Sequence, residues 1–140
     1  MQLGNAAEDR DMNKITGTLI YGANKAPASW PHAEHSYRAT LRYQRRQLSV
    51  DFHCGSHAGE PTVEDVLGCL ALDSSGLENA RGNFWDWCDG YGMEPSRESK
   101  ATFDAVARQA EGLQRLLGDD FDAIVYCDDN DRARRCGDWS

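Results

Sequence analysis

The order of apolar and polar positions changes period near residue 60. Before that point the alternation is two-fold. In "HSYRATLRY" (35–43), Tyr37, Ala39, Leu41 and Tyr43 fall on one face and Arg38, Thr40 and Arg42 on the other. That is the pattern of a strand buried on one side. "RQLSVDFH" (46–53) repeats it with Leu48, Val50 and Phe52 inward. Gln44-Arg45 joins the two runs, either as a two-residue hairpin turn, although neither residue favours positive φ, or within a longer turn. Upstream, "KITGTLIYG" (14–22) predicts a strand with Ile15, Leu19 and Tyr21 available to one face, and the prolines of "ANKAPASWPHA" (23–33) demand a loop.

Past "GSHAGEP" the spacing becomes helical. Thr62, followed three residues later by Asp65, opens a capping-box-like start, and Val63, Val66, Leu67 and Leu70 lie on one face. This helix is predicted to end near Asp73-Ser74-Ser75-Gly76. A second is predicted from about Glu78 to Asp89, stopped by "GYGMEP", with Gly90 or Gly92 as left-handed cap and Pro95 barring continuation. Ser96 is a good N-cap for a third helix over 97–117, whose stripe is Phe103, Val106, Ala107, Ala110, Leu113 and Leu117, with Gly118 as its stop. Asp104–Arg108 and Glu111–Arg115 are i,i+4 pairs in the favourable order. "DDFDAIVY" adds a short helix or strand, and "CDDNDRARRCGDWS" reads as a mobile tail. Residues 1–13 read as a flexible N-terminus, with Met1 and Met12 both open as the natural start. The expectation is one α+β domain over 1–140: a small antiparallel sheet from 14–55 packed against a three-helix half from 61–125, with 127–140 as tail.

Composition agrees with one folded domain. The 140 residues suffice for a core, and 40% hydrophobic with 27% charged content excludes wholesale disorder. No run approaches the roughly 18 apolar residues of a membrane span, and no signal region opens the chain, so a soluble cytoplasmic protein with no membrane partner is expected. The net charge of −8 argues against direct, sequence-independent nucleic-acid binding. It is unevenly spread: residues 1–60 hold seven Lys/Arg and six Asp/Glu, and residues 61–140 hold eight and seventeen. Such an acidic half either keeps the protein soluble or docks on a basic partner. The one basic patch, Arg38, Arg42, Arg45 and Arg46 on the hairpin's outer face, reads as a solvated sheet face. A phosphate reader or an internal contact with the acidic half are the alternatives.

Candidate chemistry centres on "NFWDWCDGYG" (83–92). Phe84, Trp87, Cys88 and Tyr91 fall at i, i+3, i+4 and i+7, which predicts a core face packed on the following helix. Trp85 lies off that stripe. Beside Asp86 and Asp89 it has the composition of an interface hot spot, against cover by the preceding loop. The candidate partner-binding set is Trp85, Asp86, Asp89 and Glu94 with Asp119, Asp120 and Asp122. "HCGSH" gathers His53, Cys54 and His57, the alternative centre for a metal or thiol enzyme, but no fourth zinc ligand stands at a recognised spacing. His32 and His35 bracket another loop in the same way. The five cysteines contain no CxxC and read as reduced thiols, with Cys69 and Cys88 in the core and Cys127 and Cys136 exposed. "YGANKAPAS" lacks the spacing of a phosphate loop, and "DDND" lacks the glycine and distal glutamate of a calcium loop. No catalytic residue, metal or cofactor is predicted.

"FWDWCDGYGMEPSRESKATFDAVARQAEGLQRLLGDDFD" (84–122), preceded by "PTVEDVLGCLALDSS" (61–75), resembles small accessory proteins of tailed bacteriophages and prophages. Their shared pattern is an aromatic-Trp-Cys helix, a Gly-Tyr stop, a Ser-Arg helix start and an amphipathic helix ending in Leu-Gly. The matching positions are Trp87, Cys88, Tyr91, Ser96, Arg97 and Leu117-Gly118. Glu94 keeps the acid such relatives place before the Ser-Arg pair, whereas Pro95 stands in place of their Thr. The resemblance covers about half the chain and brings no catalytic residues. It implies a small, acidic, non-enzymatic protein of a mobile element, acting in the host cytoplasm. Its expected partner is a host defence protein, above all a CRISPR–Cas effector subunit, which it binds and inhibits. A phage housekeeping protein that self-associates as a homo-oligomer is the other reading.

Overall fold

The structure is a computed structural model that describes residues 14–21, 36–53 and 61–139. Strands β1 (Ile15–Tyr21), β2 (Ser36–Tyr43) and β3 (Arg46–His53) come first, then helices α1 (Val63–Asn79), α2 (Phe84–Tyr91) and α3 (Arg97–Leu117). A 3-10 turn (Gly118–Asp120) leads to the short helices α4 (Phe121–Val125) and α5 (Asp129–Arg135), and strand β4 (Cys136–Trp139) ends the described chain. The class is α+β, with strands first and helices mostly following.

β2 and β3 form the expected hairpin. Tyr43 pairs with Arg46, so the turn has two residues, and Gln44 takes φ 56°. Tyr37, Ala39, Leu41, Tyr43 and Val50 are all buried under the helices, as alternation required. β1 pairs antiparallel with β2, giving the order β3-β2-β1-β4. The sheet is mixed rather than purely antiparallel, because β4 runs parallel to β1.

That fourth strand corrects the reading of 127–140 as a mobile tail. Asp128 caps α5 by accepting from the Asp131 amide at 2.8 Å, and β4 lies along β1. Trp139 fastens it: its indole Nε1 donates to the Pro61 carbonyl at 2.8 Å, and its ring lies against Gly17. A Cβ on Gly17 would stand 2.8 Å from that ring and 2.3 Å from the Thr40 carbonyl oxygen, so only glycine fits. Arg132 holds the other end, donating to the Val125 carbonyl at 2.9 Å and the Cys127 carbonyl at 3.3 Å.

The helix starts follow their capping residues. Thr62 and Asp65 make the reciprocal capping box of α1, and Ser96 and Ser99 make that of α3. The expected break at Asp73–Gly76 does not occur. α1 runs through to Asn79 and stops where Arg81 and Gly82 take φ 55° and 70°. Gly76 is there for contact: a Cβ on it would stand 2.3 Å from the Tyr91 hydroxyl. α2 consequently begins at Phe84, capped by Asn83, instead of near Glu78, and Gly92 at φ 66° is its left-handed stop.

α1 packs against β1 and β4, and α3 against β2 and β3. The main core is Ile15, Leu41 and Val50 of the sheet against Val66, Leu67, Leu113, Leu117 and Ile124. Gly112 lets α3 approach the sheet, since a Cβ there would meet Leu48 Cδ1 at 2.5 Å. A second cluster joins α2 to α3 through Ala80, Trp87, Cys88, Phe103 and Val106.

Candidate protein-docking site

α2 is only two turns long, and its two faces are opposite in character. Trp87 and Cys88 are buried, and Trp87 stacks edge-on to Phe103 with ring centroids 5.4 Å apart. Phe84 meets Phe103 at 5.4 Å, and the Lys100 ammonium lies 5.7 and 5.3 Å from those two ring centroids. Most of the aromatic cluster is therefore the joint between α2 and α3. Tyr91 departs from the expected core face. It is 49% exposed, its ring resting on Trp87 at 5.2 Å and over Gly76. Burial, then the nearby Asp73 carboxylate, raises its phenol pKa.

On the outward face of α2 stands Trp85, 66% exposed, with exposed Asp86 and Asp89 beside it. The preceding loop does not cover the indole. Asp86 and Asp89 also line a groove between α1 and α2, whose apolar part is Leu72 and Tyr91. Leu72 is 70% exposed, so the groove presents two large exposed apolar side chains beside two carboxylates, and Trp85 stands outside it. Glu94 is exposed in the turn between α2 and α3, and its carbonyl accepts from the Ser99 hydroxyl at 2.9 Å.

The other three acidic candidates lie elsewhere, after the C-terminus of α3. Asp119 and Asp122 are exposed. Asp120 is engaged within the fold, accepting from the Tyr43 hydroxyl at 2.8 Å. Burial first, then this hydrogen bond and charge, pushes the Tyr43 phenol up to about 12. The seven residues thus form two groups rather than one face.

The basic patch also divides. Arg38 points outward and pairs with Asp51 at 3.3 Å. Arg42, Arg45 and Arg46 are all exposed, but Arg46 shares the face of Tyr43 and donates from Nε to the Leu116 carbonyl at 2.7 Å. It satisfies an orphan carbonyl at the C-terminus of α3, where the helix dipole favours a cation. Of the two expected helix pairs, Glu111–Arg115 forms at 4.0 Å, but Asp104 takes Lys100 at 2.8 Å in place of Arg108.

Cys54 and His57 lie outside the described residues, as do His32 and His35, and His53 is described only as backbone at the end of β3. Among the described residues no group of three or more His, Cys, Asp and Glu is placed to hold a metal. Cys88 is core as expected, but Cys69 is exposed on α1. Cys127 and Cys136 are half-buried rather than exposed: Cys127 donates to the Ile124 carbonyl, and burial, then Glu64, pushes the Cys136 thiol up to about 12. A thiol so placed stays protonated and is a poor nucleophile. No described helix is long and apolar enough to cross a membrane.

Sequence reasoning missed one feature. Between α1, α3 and α4 runs a groove floored by Leu77, Phe103, Ala107, Ala110 and Phe121 and edged by Glu78, Glu111, Asp122 and Tyr126. Ala107 and Ala110 were placed on the core stripe by spacing, and both are only half-buried. No family model, curated protein or solved structure matches this chain. The likeness to phage accessory proteins therefore rests on the residues quoted for it above.

Proposed function

We propose that this protein is a phage- or prophage-encoded, non-enzymatic inhibitor that docks its acidic helical half on a basic surface of a host defence complex. A CRISPR–Cas effector subunit is the partner class that the resemblance implies. The observation carrying this reading is the outward face of α2, an exposed Trp85 beside the exposed Asp86 and Asp89 on a helix whose other face is locked into the fold. A rigid aromatic anchor ringed by charge is the composition of a binding hot spot, and complementary charge steers association. The site acts in the host cell by occluding a channel that otherwise receives nucleic acid, and it needs no cofactor.

The test is a tagged pull-down against defined CRISPR–Cas complexes, with bound subunits identified by mass spectrometry. One subunit is expected at stoichiometric yield and lost at high salt. Trp85→Ala is expected to weaken binding roughly 30-fold, as hot-spot truncations of about 2 kcal/mol do, and Asp86→Lys with Asp89→Lys to weaken it further. Clean beads across all complexes, or capture indifferent to these changes, overturns the proposal. A homo-oligomer with no defence partner would favour self-association instead.

A further inference from the structure

The groove between α1, α3 and α4 has the make-up of a receptor for one kind of segment. Its floor is apolar, and it is a depression because α3 presents only methyl groups there, at Ala107 and Ala110, between Phe103 and Gln114. Its volume, about 550 Å³, admits several side chains rather than one. The charged residues that line it are all of one sign, Glu78 from α1, Glu111 from α3 and Asp122 from α4, and the Arg115 cation reaches Glu111 from outside the lining at 4.0 Å. At its end Tyr126 closes over Phe121, ring centroids 6.1 Å apart, and its hydroxyl donates to the Glu78 carboxylate. Tyr126 is 51% exposed, so this contact lies at the surface. Beneath the groove the Ser74 hydroxyl is buried without a hydrogen-bond partner, a cost most folds avoid.

We infer that this groove is the seat of a basic amphipathic helix of the partner protein. Its apolar residues lie over Leu77, Phe103 and Ala110, and its Lys or Arg side chains pair with Glu78, Glu111 and Asp122. Helix-in-groove recognition asks for such a floor, and the single-signed rim selects the charge of the incoming segment. The inference rests on the reading of the acidic half as a docking surface and deepens it, because it adds a second seat and states what the partner must present.

The probe is a fluorescein-labelled 16-residue peptide of Leu and Lys at helical spacing, with a Leu/Glu peptide of the same pattern as control, followed by anisotropy at ~0.15 M salt. The Leu/Lys peptide is expected to bind the full chain, and the Leu/Glu peptide not to. Ala110→Arg, which fills the floor and adds a positive charge to it, is expected to lower the affinity at least tenfold, and Glu111→Lys severalfold. Asp138→Lys, at an exposed position of β4 outside the groove, is expected to leave it unchanged. Denaturation curves of each variant show that it is folded, and Glu78→Gln supplies a milder second variant. Equal binding of both peptides, no binding of either, or loss through Asp86→Lys but not Ala110→Arg overturns the groove; the last result leaves the acidic α2 face standing as the docking surface. A dimer that Ala110→Arg converts to monomer in sedimentation velocity would assign the groove to a second copy and also overturn it.

Discussion

Replacing Trp139 by alanine tests whether the last described residues belong to the fold. The indole is half-buried against the core, faces Gly17 across the β1–β4 pair, and donates its N–H to the Pro61 carbonyl. Truncating a fully buried Trp costs about 3–5 kcal/mol. Partial exposure of this ring lowers the packing share to about 2 kcal/mol, and the hydrogen bond adds about 1 kcal/mol. The expected loss is therefore about 3 kcal/mol, a large part of the 5–15 kcal/mol that holds a typical domain together. Trp139→Phe removes the donor while keeping a smaller aromatic ring, so a loss between the hydrogen-bond share and the full value, about 1–2 kcal/mol, is expected. Urea denaturation followed by circular dichroism gives both values, and an unchanged slope shows that the folded state is retained. If Trp139→Ala unfolds within about 0.5 kcal/mol of the parent, as substitutions on mobile or solvated positions do, then β4 contributes nothing and the segment is a tail after all.

Two further outcomes are expected. Burial pushes the Asp73 carboxyl from 3.8 up to about 7, so the folded chain holds a proton there that the unfolded chain has already released. Stability from this group is full below about pH 4 and falls as pH rises toward 7. Asp73→Asn is then expected to be near-neutral at pH 4 and to stabilise by about 2–4 kcal/mol at pH 8, and a difference that stays constant between the two refutes this. Arg46→Met is expected to cost about 1 kcal/mol in the same assay, through the lost bond to the Leu116 carbonyl. Equal effects of Arg46→Met and the outward-facing Arg42→Met would place both arginines on a merely solvated face.

What could be read along the chain was what depends on near neighbours. The hairpin, the Thr62 and Ser96 caps and the Gly92 and Gly118 stops are settled within a few residues, and the structure keeps them. The parity that buries Leu48 and Val50 also turns Arg46 inward, so its departure from the basic patch was legible, although charge suggested otherwise. Asp128 and Asp131 have the spacing of a helix start, which points to α5 within the supposed tail. Gly76 could not be read correctly. It looks like a helix stop, and the reason it is not one is a tyrosine fifteen positions away. β4 offers only four residues, two of them Gly and Asp, and its partner Gly17 stands at the other end of the sequence. On the outer face of α2, the exposure of Trp85 followed from helical spacing alone. The α1–α3–α4 groove did not, because whether Ala107 and Ala110 face core or surface depends on where α4 comes to rest.

The pairing of β1 with β4 also fixes when the molecule can be finished. Ile15 meets Cys136 across the parallel edge, so β1 must wait for a strand made about 120 residues after it. At about 5–20 residues per second, the ribosome leaves that edge of β1 open for roughly ten seconds. Through this interval the nascent chain carries an unpaired strand edge with Ile20 and Tyr21 exposed near it, the kind of template on which neighbouring chains register. Closing a sheet over such a separation in sequence is slow compared with forming the helices, which need only local contacts. The sheet is thus the clock of its own assembly, because its parallel edge closes only once Trp139 has been made.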